Sequence, residues 1–246
     1  MLPERPESSS LPSLAIRELK SIHAAVRESL ELPNDAPVGQ AEFARVTKLV
    51  LGDDPISDAA LAWLASEHSP FRAVNILYLW DTRITDRGTC SLAERNSALV
   101  NMHTLCLDGT KITSAGIAAL AAIDSPLIAL ETLLAGSTKI TDAALASLAS
   151  PHSPLKSITG LSFSDTKVTD QGLAYLAAKD SCLGLLIGLS LSHTKITDAG
   201  IAYLVAENSP ITELKEIWIE GTKVTDAGVE LLRSRFPGIS INPEVL

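Results

Sequence analysis

The sequence predicts an elongated α/β solenoid in which one strand–helix unit is copied along the chain, and three observations predict it. The segment Thr194-Lys195-Ile196-Thr197-Asp198-Ala199-Gly200 returns with little change along most of the chain. Ile56, Ile84, Ile112, Ile140, Val168, Ile196 and Val224 mark its copies at a constant spacing of 28 residues, with no insertion or deletion between them. A period between about 20 and 50 residues is the signature of stacked repeats. Finally, 46% of the residues are hydrophobic but only 4% are aromatic, so the core of each unit is Leu, Ile, Val and Ala. Because a solenoid grows by stacking, the 246 residues are read as one elongated domain.

Residues 1–12, rich in Pro, Glu and Ser, read as a disordered N-terminal lead. Residues 13–44 read as a helical N-terminal cap: Leu14, Leu19, Ile22, Val26 and Leu30 approximate helical spacing, and Pro33-Asn34-Asp35 ends the run. A first repeat has no neighbour on one side, so its apolar edge needs such a cover. Seven 28-residue repeats then fill 45–240, beginning at about Arg45, Ala73, Asn101, Ala129, Ser157, Leu185 and Glu213. Residues 241–246 depart from the pattern and read as a C-terminal cap strand.

The third repeat shows the logic of the unit. Leu105 and Leu107 alternate with Thr104, Cys106 and Asp108, the period of a strand with one buried face. Thr113 then heads a helical segment whose inward stripe is Ile112, Gly116, Ile117 and Leu120, closed by Ser125-Pro126. Ser or Thr stands at the Thr113 position in every copy, as expected of an N-cap. Asp follows it in every copy but the third, where Ser114 stands, and a carboxylate there suits the positive end of the helix. The Gly116 position is always Gly or Ala, which suggests a close approach of helix to sheet. The Thr110 position is Thr in six copies and Asp54 in the first, a place for a hydroxyl that bonds loop backbone.

The resulting pattern, Leu-x-x-Leu-x-Leu-x-x-Thr-x-Ile-Thr-Asp-x-Gly-Leu/Ile-x-x-Leu-Ala, resembles leucine-rich repeats of the ribonuclease-inhibitor-like and cysteine-containing types found in many bacterial proteins. The resemblance covers about residues 45 to 240, with Thr at the turn position where Asn or Cys is usual. Residues His23 to Leu30 and Val38 to Phe43 likewise look like the amino-terminal cap of bacterial leucine-rich repeat proteins. The resemblance implies a right-handed α/β horseshoe with a parallel sheet on the concave face, helices on the convex face, and a role in binding other proteins.

Residues repeated in every copy serve the scaffold, so function is sought where solvent-facing positions break the pattern. Val50, Ile76, Tyr78 and Trp80 form an apolar and aromatic cluster on the first two strands, of a kind enriched in binding hot spots. The competing readings are that the cap folds over them or that Trp80 merely packs on its neighbours. His193, Glu216, Trp218 and Glu220 form a second irregular patch, acidic around one aromatic, suited to gripping a basic segment or to capping the last strand. Between the two, Gly160, Ser162, Ser164, Gly188, Ser190 and Ser192 are small, and are read as unselected in preference to a floor for a ligand backbone. Arg83, Lys111, Lys139, Lys167, Lys195 and Lys223 make a basic row, which the Asp three residues later is expected to neutralise in most copies. Trp63, Tyr175 and Tyr203 share one helix position and are read as covering the flank.

The formal net charge of -9 argues against nucleic acid or an anionic membrane as the main partner. Cys90, Cys106 and Cys182 fall at three different repeat positions, without metal-ligand spacing or an even count for disulfides. No phosphate loop, metal-ligand spacing or nucleophile–base pair is visible, and His68 and His152 recur at one loop position. The first ten residues lack the apolar core of a signal peptide. The expectation is a non-catalytic, cofactor-free, cytoplasmic monomer that binds a protein partner. The alternative is a substrate-recruiting or secreted effector module that brings a host protein to a separate enzyme.

Overall fold

The computed structural model describes residues 14–242, so the lead at 1–12 and the last four residues of the chain lie outside it. Helix α1 (Ile16–Ser29) and the single turn α2 (Gln40–Phe43) come first. Strands and helices then alternate: β1 (Lys48–Val50), α3 (Asp58–Ala65), β2 (Ile76–Tyr78), α4 (Asp86–Leu92), β3 (Thr104–Cys106), α5 (Ser114–Leu120), β4 (Thr132–Leu134), α6 (Asp142–Leu148), β5 (Gly160–Ser162), α7 (Asp170–Leu176), β6 (Gly188–Ser190), α8 (Asp198–Leu204), β7 (Glu216–Trp218), α9 (Asp226–Arg235) and β8 (Ser240–Asn242). All eight strands form one parallel sheet in chain order. Lys48 pairs with Ile76 and the register advances by one period per strand to Gly188 beside Glu216. The step to β8 is shorter, with Glu216 beside Ser240.

This is the α/β horseshoe of a leucine-rich repeat solenoid. Its core is two lines of side chains running across the sheet. Leu49, Leu77, Leu105, Leu133, Leu161, Leu189, Ile217 and Ile241 make one, and Leu51, Leu79, Leu107, Ala135, Phe163, Leu191 and Ile219 the other, all buried. Each helix adds an apolar stripe, in α5 Ile117 and Leu120 beside Gly116. At the amino-terminal end Phe43, Trp63 and Phe71 pack ring against ring, so Trp63 of the first repeat is partly buried against the core where the cap meets it; Tyr175 and Tyr203 stay exposed on the flank.

Helices α4 to α8 have only seven residues each, far below the length that is stable alone in water. Their N-termini are completed from the neighbouring repeat. The Asp58 carboxylate accepts the N–H and the hydroxyl of Thr85, at 2.8 and 2.6 Å. Asp86 does the same for Thr113, Asp142 for Thr169, Asp170 for Thr197 and Asp198 for Thr225. Asp86 takes the N–H of Gly116 as well, at 3.0 Å. These carboxylates, expected to serve the dipole of their own helix, thus reach forward to the next one.

The forward reach also corrects the reason for the recurring glycine. A Cβ built on Gly88, Gly116, Gly172, Gly200 or Gly228 would lie between 2.3 and 2.7 Å from the Asp oxygen of the preceding repeat. The crowding is between neighbouring helices, and the sheet plays no part in it. The exceptions obey the same rule. Ala144 follows the repeat whose Asp is replaced by Ser114, which accepts the Thr141 N–H at 3.0 Å. Ala60 is in the first repeat, where the donor set is met from the cap: Glu18 accepts the N–H and hydroxyl of Ser57 at 3.0 and 2.6 Å. Ser21 of the same helix donates to Asp54 at 2.6 Å, occupying the one copy that lacks the turn Thr. In the other six copies the hydroxyls of Thr82, Thr110, Thr138, Thr166, Thr194 and Thr222 donate to a strand carbonyl three residues back, at 2.6 to 2.8 Å.

Candidate functional site

Strand alternation puts three rows of side chains on the open face of the sheet. The first row is Lys48, Ile76, Thr104, Thr132, Gly160, Gly188, Glu216 and Ser240; the second is Val50, Tyr78, Cys106, Leu134, Ser162, Ser190, Trp218 and Asn242. Two residues further along lie Gly52, Trp80, Asp108, Gly136, Ser164, Ser192 and Glu220.

At the amino-terminal end the Tyr78 and Trp80 rings meet at 5.5 Å between centroids, and the Lys48 ammonium stands 5.5 Å from the Tyr78 centroid. A Cβ on Gly52 would fall 2.0 Å from the Trp80 indole, so Gly52 is the bed on which that ring lies. The indole N–H donates to Asp53 at 3.2 Å. Val50, Ile76, Tyr78 and Trp80 are therefore grouped on neighbouring strands and half-buried. Helix α1 packs against β1 at the edge of the sheet, and the space between them is lined by Ala25, Glu28, Ser29, Thr47, Lys48 and Val50.

In the middle of the sheet Cys106 donates to Asp108 at 3.3 Å, and Asp108 accepts the Gly136 N–H. Burial pushes the Cys106 thiol up to about 12 and raises the Asp108 carboxyl above its ordinary value. A thiol so shifted is a poor nucleophile. Among the described residues no cluster of three or more His, Cys, Asp or Glu side chains could hold a metal ion.

The carboxy-terminal half carries a groove of about 330 Å³ over β4 to β7. Its floor is Gly160, Ser162, Gly188 and Ser190; Thr132 and Leu134 form one wall, Glu216 and Trp218 the other. Neither glycine is demanded by the fold. A Cβ on Gly160 would meet Thr132 at 3.4 Å, one on Gly188 only the Trp218 ring at 3.9 Å, and neither has a positive φ. Glycine in a strand weakens it and often marks a bulge, a tight bend or the close approach of a ligand or another backbone. The sequence pattern singled out Trp218 and Glu216 and named the small residues, but missed Thr132 and Leu134 as the opposite wall. Only the strand register, which sets them across two empty positions, could have found them.

The other two residues of the second patch sit at its rim. His193 is exposed in the left-handed conformation at φ 57°, its ring over Gly221, while Glu220 is exposed beyond Trp218 on the same strand face. The groove thus brings Glu216 and Trp218 together with the glycine floor, and leaves the Tyr78–Trp80 cluster several strands away. The basic row, Arg83 to Lys223, is exposed along the turn edge. Its expected neutralisation fails: the only ion pair among the described residues joins Arg95 to Asp124, and the carboxylates three residues after Arg83, Lys139, Lys167 and Lys195 are bonded to the next repeat.

Fold and face together define the class as a leucine-rich repeat solenoid with an open concave sheet. Solved structures of this class are similar to the chain. One is an internalin C2 of Listeria monocytogenes, 22% identical with a TM-score of 0.52, covering 90% of each chain. Another is the internalin inlF of the same organism, also 22% identical with a TM-score of 0.52, covering 94% of this chain and 72% of that one. No protein-family model and no curated protein matches the chain. No helix among the described residues is long and apolar enough to cross a membrane.

Proposed function

We propose that the protein is a non-catalytic interaction module that holds an extended segment of a protein partner across its concave sheet. The observation that carries this reading is the pair of strand glycines, Gly160 and Gly188, which packing does not require and which open a groove between Leu134 and Trp218. Trp218, Glu216, Glu220 and His193 make the primary contact area. Val50, Ile76, Tyr78 and Trp80 make the second, five strands away, or about 24 Å at the usual strand spacing. An extended segment of roughly seven residues spans that distance at about 3.4 Å per residue. The 28-residue period supports a repeat of the ribonuclease-inhibitor-like or cysteine-containing type, with Thr at the turn as a departure from the usual Asn or Cys. Three free cysteines suit a reducing, cytoplasmic setting.

Replacing Gly188 by Leu fills the groove without touching backbone, so the variant is expected to fold with an unchanged circular dichroism spectrum. A photo-reactive benzoylphenylalanine at Ser190 should cross-link a partner from native lysate, the same residue at Ala174 on α7 should not, and Gly188→Leu should abolish the product. Cross-linking from Ala174 that survives Gly188→Leu rejects the concave face as the binding surface.

A further inference from the structure

Resting on the groove reading above, we propose that the groove selects a long cationic side chain on the partner segment, arginine in preference to lysine. Four register-paired positions define the subsite: Gly188 beside Glu216, and Ser190 beside Trp218. One corner is empty, and the other three hold a carboxylate, a hydroxyl and an indole. Paired strands stand about 4.8 Å apart. A side chain whose stem lies over Gly188 therefore delivers its head beside Glu216, a reach that suits the three methylenes of arginine. The stem meets apolar surface from the Trp218 ring, whose edge already leans to within 3.9 Å of the place a Gly188 Cβ would take.

The charge of the wall is uncompensated. Glu216 and Glu220 flank Trp218 on one strand face, both are exposed, and neither has an ion-pair partner among the described residues. No Lys or Arg lines the groove. Lys215, next to Glu216 in the chain, falls on the opposite phase of the strand alternation, and its N–H is held by Ile187. An indole between two carboxylates attracts a cation through both ring and charge, and a planar guanidinium both stacks and forks onto a carboxylate where an ammonium does neither. Ser190 is bonded to Ser164 at 2.7 Å, so its hydroxyl is held in place at the floor.

The test uses seven-residue Ser/Val peptides, acetylated and amidated, carrying Arg, Lys, citrulline or Glu at the centre. Binding is read from the indole N–H resonance of Trp218, assigned with Trp218→Phe, in titrations of the full chain. Citrulline keeps the shape of arginine and removes its charge. The Arg peptide is expected to bind about 10-fold tighter than the citrulline peptide, with Lys between them. Glu216→Gln should bring Arg down to the citrulline value, and Gly188→Leu should remove the response to all four. If Arg and citrulline bind equally and both are lost in Gly188→Leu, the groove stands and the cationic selectivity falls. Tighter binding of the Glu peptide, or no shift at Trp218 with any peptide, overturns the inference, while the cross-linking experiment decides the groove itself.

Discussion

The pairing between each Asp and the glycine of the following repeat makes a quantitative prediction at Asp142 and Gly172. Gly172→Ala should gain about 1 kcal/mol from helix propensity. The new methyl, however, would sit 2.7 Å from the Asp142 oxygen, and that carboxylate is held by the N–H and hydroxyl of Thr169, both at 2.7 Å. Moving it aside weakens bonds to a charged group that are worth about 1.5–3 kcal/mol each. The single substitution is therefore expected to destabilise the chain by about 1–2 kcal/mol, a balance of the two opposed effects. Asp142→Ser recreates the natural Ser114 arrangement, in which Ala144 is accommodated. In that background Gly172→Ala should become neutral or stabilising by up to about 1 kcal/mol, so the double-mutant cycle should show a coupling of about 1–3 kcal/mol. Urea denaturation of the four proteins, with amide exchange over α6 and α7 to localise the change, measures it. Additivity within about 0.5 kcal/mol would refute the claim that the carboxylate dictates the glycine.

Three further outcomes follow from the same geometry. Glu18→Ala removes the acceptor of the Ser57 N–H and hydroxyl and should cost about 2–4 kcal/mol, seen as lost exchange protection in α1 and the first turn of α3; full protection there would show that the cap acts through apolar packing alone. The Asp198 carboxyl is held below its ordinary value, first by the Thr225 hydroxyl and then by the Thr225 N–H. A depressed folded pKa gives stability that is complete above the unfolded pKa of about 3.9 and is lost as pH falls through the folded value, so Asp198→Asn should flatten the acid limb of the stability curve, and an unchanged limb would contradict it. Finally, iodoacetamide at pH 8 should label exposed Cys90 and leave Cys106, whose thiol is pushed up to about 12, unmodified until urea is added; equal labelling in the folded chain would show that Cys106 is not held in the sheet as described.

The repeat was legible in the sequence because every copy solves the same packing problem, so Leu, Ile and Thr recur in phase and only their shared geometry needs naming. What escaped was which neighbour a side chain serves. A strictly periodic pattern looks the same whether Asp198 completes its own helix or the next, and the dipole argument favoured its own. The signal was nonetheless present in the exceptions: the two alanines at the glycine position, Ala60 and Ala144, follow the two places where the acceptor is not an Asp. The groove was harder to read for a different reason. It is a pair of missing side chains, and from sequence alone a glycine demanded by its neighbours, such as Gly52 beneath Trp80, cannot be told from one that is not, such as Gly188. That distinction requires knowing what a Cβ would meet.

The forward reach of the carboxylates gives the stack a direction. Each repeat receives its helix cap from the one before and supplies one to the one after, so the two ends of the chain are not equivalent. Cutting away the last repeat would leave Asp198 facing water, where a carboxylate is at ease. Cutting away α1 would leave the N–H and hydroxyl of Ser57 without their acceptor, and a helix start with nothing to complete it. Trimming such an array at its far end strands no helix-capping donor, though it bares the apolar edge of the repeat before, whereas its start has to be made by something other than a copy of itself.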